Sequence, residues 1–519
     1  MLTSSQQNTW SLRLDDEAAT DRLGRELSLY LKAGDVVTLS GDLGTGKTTL
    51  ARAVIHALAP GTGGFDVPSP TFTLVQSYEF TRVPVFHFDL YRIEQPQELP
   101  ELGVDDAVAQ GTVLIEWPDR MADLLPPDRL DIALTDGGDG ARNVAITGHG
   151  LWQARVVHMA ATAGFIAGSD WAAATRTYFQ GDASTRRYER LIRDGGPDAL
   201  LMDMPARTDD VPVRDGKSYS TLVHLAEDVR AVVAMTQALR ALGLNAPEIY
   251  AHDVAHGLLL IEDFGDLVFG RLPPEGEDTE RAYAAACDVL VHIGASACPA
   301  NLPLPGGGEH VLHAYDSGTL HFEADLVLDW FWPLLRTDMP DATARAAFTE
   351  ISEACFARLT GDRPVWVLRD YHSPNLLWLP DRDGLHRIGL IDYQDAMMGH
   401  AAYDLVSLLQ DARIDVSPER EIRLFDYYVE RRTERDPGFD AQAFRAAYAV
   451  LGTQRCSKIL GIFARLDRRD GKPIYLRHMP RVSGYLERNL AHPALADMKR
   501  WYDSHLPHAD RIKAGNGTG

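Results

Sequence analysis

The stretch VWVLRDYHSPNLLWLPDRDGLHRIGLIDYQD, Val365 to Asp395, decides how the longer part of the chain folds. Its three apolar runs, VWVL, NLLWL and IGLI, have strand length and are separated by polar turns. Asp370 follows the first run, Asn375 comes five residues later, and Asp392 closes the third. A phosphotransfer loop needs a carboxylate to orient or deprotonate the acceptor hydroxyl, an amide for the metal, and a second acid at the next strand end. The order and spacing fit. Pro374 stiffens the turn between Asp370 and Asn375, which favours a defined loop over a continuing helix. The alternative is a hairpin whose polar residues merely face water, and three matching residue types between strongly apolar strands argue against it.

Working outward, 519 residues are too many for one core and call for several domains. With 45% hydrophobic and 24% charged residues, the composition is that of an ordinary folded protein. No run approaches the roughly eighteen apolar residues of a membrane span, and MLTSSQQNTW lacks the basic flank and apolar run of an export signal, so the expected location is the cytoplasm. Cys287, Cys298, Cys355 and Cys456 lack paired metal-ligand spacing and read as buried thiols. A net charge of -23 argues against a broad nucleic-acid surface, which needs clustered Lys and Arg.

A second nucleotide motif lies far upstream. GDLGTGKT places Gly41, Gly44, Gly46, Lys47, Thr48 and then Thr49 directly after the strand-like VVTLS and before a helical run. Small residues let backbone N–H groups wrap phosphate, Lys47 neutralises phosphate charge, and the Thr48 hydroxyl holds Mg²⁺. ATP chemistry also needs carboxylates near the metal, and Asp89 in HFDLYR and Glu116 at the end of TVLIE are the candidates. The pattern predicts an α/β unit of about 150 residues, with strands at 71–75, 83–88 and 112–115, late or edge strands at 130–134 and 142–146, and a hairpin turn at 137–140. Beyond it come helices at 151–174, 219–242 and 278–293, strands within 178–191 and at 199–203 and 257–262, and a frayed end at 508–519.

SGDLGTGKTTLARAV, VPSPTFTLVQSYE, HFDLYRI and LIEWPDR, in that order, resemble the bacterial TsaE family over about residues 10–150. The resemblance implies an ATPase that supports threonylcarbamoyladenosine synthesis in tRNA through partner proteins TsaD and TsaB. It also implies that Thr71 lies in a switch-like segment and that Asp89 and Glu116 serve the metal or hydrolytic centre. Trp117 becomes a candidate for lining the nucleotide site.

FQGDASTRRYERL, LLLIEDFGD, LRDYHSPNLL, IGLIDYQDAMMGHAAYDLVSLLQDAR and QRCSKILGIFARL resemble the aminoglycoside phosphotransferase superfamily, and within it the AmgK-like N-acetylmuramate/N-acetylglucosamine kinases. This resemblance spans about residues 160–505 and implies phosphorylation of the sugar's anomeric hydroxyl for peptidoglycan recycling. It implies Asp370 as base, Asn375 and Asp392 as metal ligands, Gly181, Ser184 and Thr185 as a phosphate loop, and the backbone around Glu262 as the adenine edge. Asp395 and Asp404 are bracing candidates, and His372 lies inside the loop. Leu368-Arg369 stands where related kinases carry His-Gly, so Arg369 is expected at phosphate or at a neighbouring carboxylate.

The expected architecture is therefore α/β, a P-loop NTPase domain (1–152) followed by a bilobal protein-kinase-like domain (153–519), with an N-lobe at about 160–265 and a C-lobe at about 266–505. ATP and Mg²⁺ are the expected cofactors at two separate sites, with an amino sugar as the acceptor. The rival is an aminoglycoside or other small-molecule kinase regulated by a nucleotide-binding N-terminal module.

Overall fold

The computed structural model describes residues 8–59, 65–94, 96–121, 124–179, 186–206, 212–214, 216–336, 338–359 and 363–515. The chain forms two compact units, Met1–Met204 with Ala251–Leu260, and Pro205–Tyr250 with Ile261–Gly519.

In the first unit a seven-stranded sheet has the order β1-β7-β6-β2-β5-β4-β3. Its strands are β1 (Thr9–Leu14), β2 (Val36–Ser40), β3 (Val75–Tyr78), β4 (Val85–Asp89), β5 (Thr112–Glu116), β6 (Arg129–Gly138) and β7 (Ala141–His149). Strands β6, β2, β5 and β4 run parallel to one another, and antiparallel β7, β1 and β3 flank them. The first four residues of the VVTLS run are all buried, because both sides of the strand are covered. Val37 and Leu39 pack with helices α1 (Glu17–Tyr30), α2 (Lys47–Leu58) and α4 (Trp152–Ala167), and Val36 with Val104 and Ala107 of α3 (Val104–Gln110). Two expectations change here. Strand 130–134 is no edge, because its Leu130–Ala133 stretch pairs with β2 at the centre of the sheet. The predicted strand at 71–75 starts only at Val75, where pairing with β4 begins.

The same unit holds most of a second, five-stranded sheet. Its members are β8 (Thr175–Phe179), β9 (Arg187–Ile192), β10 (Ala199–Asp203), β11 (Ile249–Asp253) and β12 (Leu258–Glu262), in the order β11-β12-β10-β9-β8. Gly181, Ser184 and Thr185 fall outside the described residues.

The second unit is mainly helical around one large apolar core. The continuous helix expected at 219–242 is broken: a short turn at Tyr219–Leu222 ends before His224, which has a φ of 52°, and Asp228 caps a new helix α5 (Val229–Ala241). The decisive stretch folds as two small antiparallel pairs. Strand β13 (Val365–Val367) lies against β16 (Met397–Gly399), and β14 (Leu376–Trp378) against β15 (Ile388–Leu390). Around them stand α6 (Glu277–Ala295), α7 (Ser317–Ala324), α8 (Ala402–Leu409), α9 (Pro418–Arg435), α10 (Ala441–Arg468) and α11 (Met479–Leu490). The expected fraying at 508–519 does not hold for its first part. A helical turn covers His508–Arg511, and Arg511 is fully buried, its guanidinium 2.6 Å from Glu487 of α11. Among the described residues no helix is long and apolar enough to cross a membrane, and the four cysteines are unpaired.

Candidate functional sites: two separate phosphate centres

At the end of β2 the chain turns through Gly41, Gly44 and Gly46, with φ of 136°, 81° and 99°. Gly41 has a second constraint: a Cβ there would come within 2.2 Å of the Leu134 carbonyl oxygen. Helix α2 then opens at Lys47. Its ammonium donates to the carbonyls of Gly41 (2.8 Å) and Asp42 (2.9 Å) and stands 3.8 Å from the centre of the Trp117 ring. Trp117 is thus placed against the Lys47 ammonium. Burial pushes the Lys47 ammonium below the ordinary lysine range, while Glu116, Asp89 and Asp42 pull the other way. Arg142, which sequence reasoning missed, reaches from β7 to the Thr45 carbonyl at 3.0 Å and secures the loop from the side.

The register aligns Asp89 with Glu116 on adjacent parallel strands. The Thr48 hydroxyl donates to Glu116 (2.9 Å), whose other oxygen lies 2.9 Å from His87 Nε2. Asp89 accepts from Thr71 (2.7 Å), Ser69 (2.8 Å) and the Tyr91 N–H (3.0 Å). The structure therefore brings Lys47, Thr48, Thr71, Asp89, Glu116 and Trp117 together, with Thr49 the next residue of α2. An all-oxygen set from Thr48, Glu116 and Asp89 suits a hard cation that keeps water and phosphate oxygens as further ligands, which is the habit of Mg²⁺.

The second centre sits in the second unit. Arg369 and Asp392 are non-glycine residues with φ of 67° and 62°, and each forces the chain sharply out of its strand. The carboxylate of Asp404 holds the first bend, accepting from the N–H groups of Leu368 (2.6 Å) and Arg369 (3.0 Å). Burial pushes the Asp404 carboxyl up to about 7 against these two donors. Asp404 is a brace. Asp411, which sequence reasoning did not single out, accepts from the Ser373 N–H at 2.7 Å and pins the other end of the loop. Asn375 donates to the Asp370 carbonyl oxygen (3.0 Å) and to Asp392 (3.3 Å), so the expected metal pair is in contact. Gln394 steadies both Asp392 and Asp395 at 3.0 Å, and Asp395 accepts from the Ala226 N–H at 2.6 Å.

The Asp370 side chain is 47% exposed, so it stands at the mouth of this loop with His372 Nε2 at 4.0 Å. Desolvation in the loop raises its carboxyl, and the charges of His372, Lys458 and Arg369 outweigh that and hold it below the usual range. Asp370 is therefore ionised at neutral pH and suited to accept a hydroxyl proton. Asn375 and Asp392 again offer oxygens suited to Mg²⁺ with phosphate completing the shell.

Of the two partners expected for Arg369, the structure shows the carboxylate. Its buried guanidinium donates to Glu323 of α7 and to the Val223 carbonyl (2.9 Å). Glu323 also receives Lys458 at 2.8 Å and the hydroxyl of Tyr315. The Arg369 side chain thus ties the backbone next to Asp370 to Glu323 and Val223. Glu262 is tied down as well: its N–H donates to the Glu248 carbonyl (2.8 Å), and its carboxylate is paired with Arg382.

Asp404→Asn tests the brace. An amide offers one acceptor oxygen where two N–H donors converge, so one buried donor is lost, at a cost of about 1–3 kcal/mol. The expected result is a lower thermal midpoint and a kcat for phosphoryl transfer reduced by roughly tenfold or more; wild-type kcat would remove Asp404 from the loop's support.

Comparisons with known proteins find matches to both parts of the chain. The family model "Threonylcarbamoyl adenosine biosynthesis protein TsaE" matches residues 14–144, and "Phosphotransferase enzyme family" matches residues 175–446. An N-acetylmuramate/N-acetylglucosamine kinase of Caulobacter vibrioides is 41% identical over 357 residues, covering 67% of this chain and 96% of that protein. The tRNA threonylcarbamoyladenosine biosynthesis protein TsaE of Bacillus subtilis is 38% identical over 134 residues, which cover 25% of this chain and 80% of that protein. The Rickettsia felis protein of the same name is 39% identical over 124 residues, 24% of this chain and 71% of that protein. With a phosphate loop backed by Asp89 and Glu116 at one end, and Asp370, Asn375 and Asp392 at the other, the chain belongs to the TsaE family through residues 14–144 and to the phosphotransferase enzyme family through residues 175–446.

Proposed function

We propose that the chain has two ATP-dependent activities on one polypeptide, divided near residue 152. The N-terminal domain is an ATPase supporting threonylcarbamoyladenosine formation in tRNA, acting through TsaD- and TsaB-type partners in the cytoplasm. The C-terminal domain transfers the γ-phosphoryl group of ATP to the anomeric hydroxyl of N-acetylmuramate or N-acetylglucosamine. What carries the kinase reading is the 41% identity that spans 96% of the Caulobacter sugar kinase, together with the phosphotransferase family match over residues 175–446, which contains the Asp370 loop.

In this reading Asp370 accepts the proton of the anomeric hydroxyl as its oxygen bonds to the γ-phosphorus, and the bond from that phosphorus to the β,γ-bridging oxygen breaks, leaving ADP. Mg²⁺ held by Asn375 and Asp392 would supply charge neutralisation on the phosphates. Asp404, Asp411 and Arg369 keep the loop rigid, so that Asp370 meets the hydroxyl without reorganisation. The segment 181–185 binds the phosphates and the backbone near Glu262 the adenine. At the other site Lys47 and Thr48 grip the nucleotide, while Asp89 and Glu116 position metal and water.

The test is incubation of the full chain with ATP, Mg²⁺ and separate amino sugars and aminoglycosides, with the product read by ³¹P NMR. A sugar 1-phosphate is expected. Phosphate on aminoglycosides alone, or on a non-anomeric oxygen, would overturn the substrate or the position. Co-purification with the tRNA-modification partners tests the first domain separately.

A further inference from the structure

The P-loop domain and the kinase's sheet share a set of charges shielded from water. Arg176 of β8 donates to Glu26 of α1, to Glu189 of β9 (2.8 Å) and to the Tyr30 hydroxyl (3.3 Å). Arg187, the first residue of β9, stands 3.9 Å from the centre of the Tyr30 ring and donates to Asp203 at the end of β10 (2.7 Å). Asp203 also lies 2.9 Å from His158 of α4. Outside this shielded set, the exposed Arg82 donates to the carbonyls of Ser28 (2.6 Å) and Leu31 (3.2 Å) and stands 4.5 Å from the centre of the exposed Tyr178 ring. The Glu26 and Arg176 side chains are only 19% and 12% exposed, and Glu189 is 1% exposed.

Surface ion pairs between adjoining domains are exposed and contribute little. Here the charges are desolvated, so each depends on its partners and loss of one leaves another buried and unmatched. Arg176 bridges a carboxylate of each domain, which makes Glu26 part of the support of the β8–β9 pair. Helix α1 in turn is seated on α2, where a Cβ added at Gly24 would come within 2.4 Å of the Ala53 Cβ. Because α1 cannot shift without α2, it presents Glu26 and Tyr30 from a rigid base.

We propose that α1 of the P-loop domain is a positioning element of the attached kinase: Glu26 and Tyr30, acting through Arg176 and Arg187, set the nucleotide-side strands β8 and β9. The proposal rests on reading the C-terminal domain as an ATP-dependent kinase. It makes the fused domain part of the kinase's ATP affinity. The Caulobacter kinase, whose 357 matched residues are 96% of its length, has no room for such a domain.

The test uses the full chain in a Lys47→Ala background, so that Mg·ADP titration reports on the kinase site. Glu26→Leu and the milder Glu26→Gln are compared with Arg25→Ala on the exposed face of the same helix. The expected result is Mg·ADP affinity weakened roughly fivefold or more in Glu26→Leu, less in Glu26→Gln and not at all in Arg25→Ala. The KM for ATP should rise in sugar phosphorylation while the KM for sugar stays constant. ADP affinity unchanged in both Glu26 variants would overturn the proposal. So would a parallel loss of sugar KM, kcat and thermal midpoint in both, which marks a purely structural contact. Absence of sugar phosphorylation in the unmodified chain would instead refute the kinase reading, and the ADP titration still decides the role of α1.

Discussion

Asp370→Asn is expected to lower sugar phosphorylation by about a thousandfold or more and to leave ATP hydrolysis at the Lys47 site unchanged. The substitution is nearly isosteric. Asn375 contacts the Asp370 backbone oxygen and Asp392, so the metal pair stays in place and Mg·ADP affinity is retained. What disappears is an anionic oxygen, held ionised by neighbouring positive charge at the mouth of the loop, to which the proposed reading gives the hydroxyl proton. The loss should therefore fall on kcat, with KM for ATP little altered. Lys47→Ala gives the reciprocal result: nucleotide turnover in the first domain falls, and sugar phosphorylation is kept to within the contribution of α1 described above. A Asp370→Asn rate within tenfold of wild type would remove Asp370 from proton transfer. Loss of both activities in either single variant would refute two independent centres.

Both centres were legible because their chemistry is written in short intervals. Gly41 to Thr48 must be contiguous to wrap a phosphate, and the hairpin between Asn375 and Asp392 brings those two side chains into contact. The strand β2 and the helix α2 flanking the phosphate loop were legible for the same reason. Elements that depend on distant pairing were not. Strand β6 reads as a late or edge strand because its β-period is ordinary, and only its parallel pairing with β2 puts it at the sheet's centre. The break before α5 rests on one left-handed residue and one capping Asp inside an otherwise helical pattern. His508 to Arg511 look like a polar tail until Glu487 supplies a buried partner for Arg511. The Arg369 partner was left open between phosphate and a neighbouring carboxylate, because Glu323 lies 46 residues upstream in a helix with no motif of its own. Lys458 stood within a quoted family stretch, and no local rule ties it to either residue.

That distant triad makes Glu323→Gln the second large effect. One fully buried carboxylate neutralises both the Arg369 guanidinium and the Lys458 ammonium, and it also accepts from Tyr315 and from Gln454 at 3.3 Å. Removing its charge leaves two buried cations without the carboxylate that pairs with both, at an expected cost of about 3–5 kcal/mol. Burial alone would raise the Glu323 carboxyl, but Lys458 and Arg369 overcome it and hold it at about 2, against an ordinary 4.5. A depressed carboxylate adds stability that is present above its ordinary value and lost as pH falls from about 4.5 towards 2. The shift corresponds to about 3 kcal/mol. Denaturant titrations of wild type and Glu323→Gln should thus differ most near neutrality, with the gap closing below about pH 4.5. A gap that stays constant down to pH 3 would mean that lost packing, and not lost charge, sets the penalty. Function should follow stability here, because Arg369 occupies a left-handed conformation one residue before Asp370 and its side chain is the tie that holds that bend from below. Kinase kcat should fall in Glu323→Gln at temperatures where the variant remains folded, while hydrolysis at the Lys47 site does not change.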